Sequence, residues 1–408
     1  MKVEIIELSK KELQTIAIVG THLHKWQGDG TADIQKVIKD QAMVQLDPLN
    51  PAGRNHDLFF LSRMLNYKIG EFQDIVYPKK LVFESYFPNL MAISKEYFPL
   101  FLPQMKKEYL HKYYQSRIEK MEKLHSGILE EAKEFLKNNG PSKAADLGDL
   151  ASKKPEFSFW KTSNLAGMAL EMLWILGKAA ICRRDEHWRK QYDLIENFLD
   201  KKLLEGSELP DAEICYMKFL IRQKSYPLIN LGKAGYSASN KLVFGKKKRL
   251  EPSWFEREDD LCCPKILSVE GEPFSCGVPA NWEELLNSKL DNEMRSIAPL
   301  DPLIWDRDLT KKIFNFDYTW EVYKIPKDRI YGYYVYPLLF RGEFIGRMEA
   351  KFDKKKKNLH IFNLHKEDDF SFDNTSERKL IDLFKRWKIM LSAESLSKDK
   401  TFNMIEIT

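Results

Sequence analysis

The chain has 408 residues, room for roughly two to four domains. At 43% hydrophobic and 12% aromatic it can bury ordinary cores, which excludes a mainly disordered chain, and 19 Gly with 18 Pro exclude a collagenous or low-complexity one. Lys and Arg number 65 against 60 Asp and Glu, a formal charge of +5, so net charge alone does not demand nucleic acid, and what matters is where the cations cluster.

The opening MKVEIIELSKK has no apolar leader core, which argues against secretion. Five cysteines, with Cys262 and Cys263 adjacent, suit neither a disulfide framework nor a zinc spacing. The expectation is a reduced, cytoplasmic protein with no metal, in which the sequon at Asn374 stays unmodified. The most apolar stretch, 164–182, contains Glu171 and Lys178 and reads as a buried helix rather than a membrane span.

Ser9-Lys10-Lys11-Glu12 is a capping box and predicts a helix to about His24. After the Gly28-Asp29-Gly30 turn, Thr31 can cap a second helix over 32–40. Residues 43–48 read as a short strand ended by Pro48, 55–66 as a helix with Leu58, Phe59, Leu61 and Leu65 on its apolar side, and 81–94 as a β-hairpin.

A helix–helix–helix–strand–strand grammar follows, that of a winged helix. It comprises helices over 127–137, 143–148 (capped by Ser142) and 163–176 (capped by Ser163), then strands 179–184 and 189–194 turning at Asp185-Glu186. A fainter copy has helices over 211–222, 228–233 and 253–261, with a wing over 265–269 and 273–277 turning at Glu270-Gly271. The opening segment could be a third copy, with no identity-level repeat visible.

From Ile297 the composition changes. Residues 318–323, 331–339, 343–351 and 358–362 read as successive strands of a small sheet or partial barrel. A last helix over 376–391 presents Leu380, Leu383, Phe384, Trp387 and Leu391 on its apolar side, with Asn374 and Glu377 as caps. The fold class is therefore α+β: three tandem winged-helix (helix-turn-helix) units, then a small C-terminal β-barrel or sheet and a terminal helix. The domain reading is 1–120, with the Gln45/Asp47 strand and the hairpin, then 121–205, 206–295 and 296–408.

Gln45 and Asp47 lie two apart in the short strand, so their side chains share a face. An amide beside a carboxylate can hold a water and accept its proton. From spacing alone, a half-exposed edge strand is the favoured explanation of the pair. Arg54, Asn55, His56 and Arg63 sit on the next helix, whose N-terminus favours anions; they suit phosphate contact or an ordinary solvated helix end. Arg183 and Arg184 flank a wing turn. The runs Lys246-Lys247-Lys248-Arg249 and Lys354-Lys355-Lys356-Lys357 are solvated turns or phosphate contacts. His22 and His24 point to different sides of a helix, which argues against a metal site. No glycine-rich nucleotide loop is present, no lysine is marked as a Schiff-base nucleophile, and Tyr331-Gly332-Tyr333-Tyr334 reads as strand packing.

Two blocks of residues then carry a resemblance. Gln45-Leu46-Asp47, Arg54-Asn55-His56 and Ser62-Arg63 form the first. The second runs from Pro299-Leu300-Asp301-Pro302-Leu303-Ile304-Trp305-Asp306-Arg307 through Phe314-Asn315-Phe316-Asp317-Tyr318 and Arg329-Ile330-Tyr331-Gly332-Tyr333-Tyr334-Val335-Tyr336-Pro337-Leu338-Leu339 to Gly346-Arg347. Together they resemble the YcaQ/AlkZ (AlkX) winged-helix DNA glycosylases. The resemblance implies three tandem winged helices with a C-terminal β-barrel, and an enzyme acting on double-stranded DNA; with no marked amine nucleophile it is expected to be monofunctional and cofactor-free, and with no coiled-coil pattern or exposed apolar stripe, a monomer. It also implies hydrolysis of N7-alkylated purines, including unhooking of interstrand crosslinks. Gln45 and Asp47 match the catalytic motif, Arg307 and Arg347 fall in the C-terminal signature, and the 81–94 hairpin resembles a DNA-probing hairpin. Some members carry a glutamine in place of Asp47, and the tryptophan and histidine common in the family hairpin are missing around Phe83-Glu84-Ser85-Tyr86. A winged-helix transcriptional regulator is the competing reading, since fold does not dictate function.

Overall fold

The computed structural model describes residues 5–87, 89–106, 108, 110–157, 164–206, 209–230, 265–269 and 275–399. The run Lys246 to Arg249, the helix over 253–261, Cys262-Cys263, Ser163 and the Glu270-Gly271 turn lie outside the described residues.

Strand β1 (Ile5–Leu8) leads into α1 (Lys10–Gly20), opened by the predicted capping box: Glu12 N–H donates to Ser9 Oγ, and Ser9 N–H donates to the Glu12 carboxylate. The helix stops short of His24. The Thr21 hydroxyl takes the Ala17 carbonyl and His22 adopts a φ of 60°. Helix α2 (Thr31–Gln41) is capped by Gly30, whose N–H donates to Asp33, rather than by Thr31. Then come β2 (Met43–Gln45), α3 (Asn55–Leu61) and the hairpin of β3 (Val82–Tyr86) and β4 (Leu90–Ser94).

Helices α4 (Lys112–Leu124) and α5 (Ile128–Asn139) follow, α5 stopping at Gly140 as the sequence predicts. In place of the helix over 143–148 there is a 3-10 turn, Ala144–Asp146, and a short helix, Gly148–Ser152. Helix α6 (Leu165–Ile175) is opened by Asn164, whose side chain accepts from Gly167 N–H. Strands β5 (Ala179–Arg184) and β6 (Lys190–Leu194) match the expected wing strands.

Helix α7 (Asp211–Ser225) is followed by β7 (Ile229–Asn230), where the sequence predicts a helix over 228–233. Ile229 instead pairs with Gly277, and Asn230 with Cys276. Strands β8 (Lys265–Val269), β9 (Ser275–Val278) and β10 (Arg295–Ser296) precede α8 (Arg307–Phe314). The strand expected over 318–323 is absent: Glu321–Tyr323 and Pro326–Asp328 are 3-10 turns. The Glu321 carboxylate draws the segment into a tight loop by accepting from the backbone N–H groups of Ile330, Tyr331 and Gly332. Strand β11 (Val335–Phe340) starts four residues later than predicted, so Tyr331-Gly332-Tyr333-Tyr334 precedes the strand; β12 (Glu343–Asp353) and β13 (Asn358–Lys366) follow where predicted and run past the expected ends, before α9 (Asn374–Leu391) and β14 (Ser395–Lys398).

Contacts divide the chain into two compact units, which do not coincide with the four consecutive segments of the sequence reading. One comprises Met1–Phe72, Phe87–Leu90 and Lys218–Thr408; the other comprises Gln73–Tyr86 and Met91–Met217. In the first, β1 pairs in parallel with β8, Leu8 opposite Val269, within a sheet of order β1-β8-β9-β7. Its second sheet, β10-β11-β12-β13-β14, is antiparallel except at β13–β14 and supplies the C-terminal partial barrel. Helix α9 buries the five apolar residues expected of it; Trp387 donates to Ser296 Oγ at 2.8 Å and meets the Tyr336 ring edge-on at 4.8 Å. In the second unit α6 is buried almost all round, and Lys190 and Tyr192 of β6 both bind one oxygen of its Glu171, whose Oε2 is buried without a hydrogen-bond partner among the described residues. Among the described residues no helix is long and apolar enough to cross a membrane.

Candidate active site

Strand β2 ends at Gln45, so the predicted strand stops short of Asp47. Pro48 prevents continuation, and the Asp47 Oδ1 accepts from Leu49 N–H at 2.9 Å, a local turn that replaces the ladder. Gln45 is buried, whereas Asp47 is half-buried. Asp47 Oδ2 has no hydrogen-bond partner among the described residues. Burial pushes the Asp47 carboxyl above the ordinary aspartate value, and the Leu49 amide offsets part of that rise.

The loop carrying Asp47 is held from both ends of the sequence. Leu46 N–H donates to Leu90 O at 2.9 Å, at the tip of the β3–β4 hairpin. Phe352 of β12 donates its N–H to Pro51 O at 2.7 Å. Asn55 ties three segments together: its Nδ2 donates to Gln45 O at 2.9 Å, and its Oδ1 accepts from Leu300 N–H at 3.1 Å. Gly53 adopts a φ of +109°, and a Cβ there would stand 3.3 Å from Met390 of α9, so the loop both turns and packs closely at a position suited to glycine.

The structure corrects most of the expected phosphate contacts. Arg54, Asn55, His56, Arg63, Arg184 and Arg347 are all buried. Arg63 makes a bidentate pair with Asp301, at 2.7 and 3.1 Å. His56 lies 4.8 Å from the Phe72 ring, with Nε2 at 3.6 Å from Asp57. Arg347 reaches Glu367 at 2.7 Å and is sandwiched between Phe316 and Tyr331, its guanidinium 4.2 and 4.0 Å from their centroids. In the second unit Arg184 clasps Glu84 of the hairpin at 2.8 and 2.6 Å. These groups brace the scaffold, and a guanidinium committed to a buried carboxylate does not face a phosphate. Arg183 and Arg307 are exposed. The run Lys354 to Lys357 forms the exposed turn between β12 and β13, with Lys357 paired to Glu394 at 2.7 Å.

One neighbour of Asp47 is not legible as such in the sequence. Tyr334, read there as strand packing, is fully buried and close enough to Asp47 for the two to interact electrostatically. Burial, then the neighbouring Tyr336 and Asp47, hold it as a neutral phenol.

A half-buried carboxylate with a free oxygen, two residues beyond a buried glutamine on a mixed α+β scaffold, is suited to hydrolysis, and the comparisons say which class. A family model described as "DNA glycosylase AlkZ-like" matches residues 38–223 and 266–382, a span that includes Gln45, Asp47 and Tyr334. The chain is a DNA glycosylase. More particularly, it belongs to the AlkZ-like DNA glycosylase family. In fold it is similar to the Streptomyces sahachiroi DNA glycosylase AlkZ, with a TM-score of 0.62 and 13% identity over 97% of this chain and 100% of that one.

Proposed function

We propose that this glycosylase is monofunctional and hydrolyses the N-glycosidic bond of N7-alkylated purines in duplex DNA, including purines tied into interstrand crosslinks, and that it acts as a monomer. The observation that carries this reading is the uncommitted oxygen of Asp47. Asp301 spends both oxygens on Arg63, and Asp57 accepts from Tyr67 and from the Arg54 backbone. Asp47 spends one oxygen on Leu49 and keeps the other.

N7 alkylation gives the purine a formal positive charge, so it leaves as a neutral base without needing an acid. The sugar develops oxocarbenium character at C1′. Asp47 stabilises that cation and takes the proton of the attacking water, while Gln45 orients the water. The water oxygen bonds to C1′, and the electrons of the broken C–N bond leave with the purine, so the products are an abasic site and the free base. A crosslinked base is tethered to the opposite strand and cannot swing fully into a closed pocket, so the duplex is held largely stacked.

The α5, α6, β5, β6 segment supports a winged helix, and the second and third copies belong to the same proposal. The exposed Arg183 and Arg307 are its proposed phosphate contacts. The hairpin tip beside Leu46 is proposed to probe the duplex next to Asp47.

Release of 7-methylguanine from methylated duplex tests the assignment. Asp47→Asn is expected to lose about 100-fold or more in single-turnover rate. Equal release by both proteins would remove Asp47 from the chemistry. A gel assay on a nitrogen-mustard crosslinked duplex tests unhooking; persistence of the crosslink alongside active base release would restrict the substrate to monoadducts.

A further inference from the structure

The loop that leads into β11 holds large apolar side chains out in water. Tyr323 is 84% exposed, Ile330 71% and Ile325 54%. A single exposed apolar residue is ordinary, whereas three large ones on one short loop mark a contact surface. The loop that carries them is stiff. The buried Glu321 carboxylate accepts from the backbone N–H groups of Ile330, Tyr331 and Gly332, and from Lys324 Nζ at 2.8 Å. Arg329 Nε ties the loop across by donating to Lys324 O at 3.0 Å. Tyr333 N–H donates to Glu349 Oε1 of β12 at 2.7 Å. Two carboxylates are thus committed to presenting apolar side chains to solvent.

The surroundings select duplex DNA as what covers them. Lys327 and Arg329 lie between Ile325 and Ile330, against the exposed Asp328, and the Arg329 guanidinium rests 4.8 Å from the Tyr333 ring. Beyond Glu349, β12 runs through Lys351 to the exposed Lys354, Lys355 and Lys356. On the same strand, Phe352 is bonded to Pro51 of the segment that carries Asp47. One strand therefore anchors the apolar loop, leads to a basic run and is tied to the candidate active site. Apolar side chains flanked by cations suit a groove, where cations meet phosphates and aliphatic groups press between base steps. A base tethered to the opposite strand becomes accessible only if the duplex around it is distorted, and a stiff apolar wedge supplies that distortion. We propose that this loop is the duplex wedge of the enzyme: Ile325 and Ile330 press into a groove beside the alkylated nucleotide and part its stack, Tyr323 packs on the adjoining sugar, and Lys327 and Arg329 hold the flanking phosphates. This rests on the substrate proposed above.

The test uses the full chain and a methylated duplex with 2-aminopurine next to the 7-methylguanine, a probe that brightens when its stack is parted. Probe fluorescence on binding, single-turnover release of 7-methylguanine and the melting temperature of the protein are measured. The proteins are wild type, the double variant Ile325→Ser/Ile330→Ser, Asp47→Asn and a control, Leu124→Ser, which alters an exposed leucine of α4 in the other unit. Wild type and Asp47→Asn are expected to brighten the probe. The double variant is expected to lose most of that signal and to release base about tenfold more slowly, while melting as wild type does. Leu124→Ser is expected to match wild type throughout. A double variant with normal signal and rate would overturn the wedge and give the exposed residues to another protein. Loss of signal with a lowered melting temperature would make them structural and overturn it too, as would wild-type binding that leaves the probe dark. Full release by Asp47→Asn would remove the role given to Asp47 and leave the wedge standing on its binding signal.

Discussion

Arg63 and Asp301, 238 residues apart, form a bidentate ion pair in which neither side chain is exposed. The Arg63 guanidinium also donates to the carbonyls of Thr21 and Phe59 and to Ser62 Oγ, and Asp301 accepts from Leu303 N–H. The pair joins the segment just after α3 to the turn before α8, and Asn55, the first residue of α3, makes a second tie to the same turn.

Removing one partner should unfold rather than merely weaken the enzyme. Arg63→Met leaves a buried carboxylate without its counter-charge and is expected to cost about 3–5 kcal/mol in urea denaturation. Combining it with Asp301→Leu should recover part of that loss, because much of the cost lies in the orphaned charge. A loss confined to DNA affinity, with normal stability, would return Arg63 to the duplex interface.

Adjacent arginines on β5 should behave in opposite ways. Exposed Arg183→Ala is expected to weaken binding to every duplex sequence alike, and to reduce the salt slope by about 1. Arg184→Ala strands Glu84 and should cost about 3–5 kcal/mol of stability. Burial raises the Glu84 carboxyl, but Arg184 and Tyr77 more than offset it and hold it below the ordinary glutamate value. The wild-type stabilisation from Glu84 is therefore present above the ordinary glutamate range and fades as pH falls through its lowered pKa. Melting curves across that range, compared with those of Arg184→Ala, check the sign.

Asp47 has the opposite sign. Its pKa is raised in the folded chain, so its contribution to stability is greatest below the ordinary aspartate range and is lost as pH rises through the raised value. Asp47→Asn is expected to melt higher than wild type at neutral pH, with the advantage vanishing in acid. The acid limb of the wild-type rate profile should sit above the ordinary aspartate range. An acid limb within that range would mean that the carboxylate is not desolvated in the working enzyme.

Gly346 on β12 tests the packing of the barrel. A Cβ at this position would stand 2.4 Å from the His365 carbonyl oxygen and 3.1 Å from Lys366 Cα, both backbone atoms of β13. Gly346→Ala is expected to destabilise the chain by about 2 kcal/mol and to lower the melting temperature. An unchanged melt would show that the β12–β13 pairing yields without cost.

Local features were readable from the letters alone. The Ser9–Glu12 box, the 81–94 hairpin, the strands either side of Asp185 and the apolar side of α9 all arise between near neighbours, where spacing and cap chemistry decide the outcome. The segment 318–323 misleads because its aromatic residues look like a strand, while a carboxylate inside it folds the following backbone into a loop. The segment 228–233 misleads because its pairing partner lies on β9, far along the chain.

The family blocks, the identity of Gln45 and Asp47 and the order of the elements around them can be read in the letters. Which cations meet solvent depends on how distant segments come together. An arginine that binds phosphate and one that neutralises a buried aspartate leave the same letter in a sequence, and the difference depends on a partner hundreds of residues away. The same holds for the Phe352 N–H and the Pro51 carbonyl: their hydrogen bond sets β12 against the loop that carries Asp47, a long-range contact with no local periodicity to announce it.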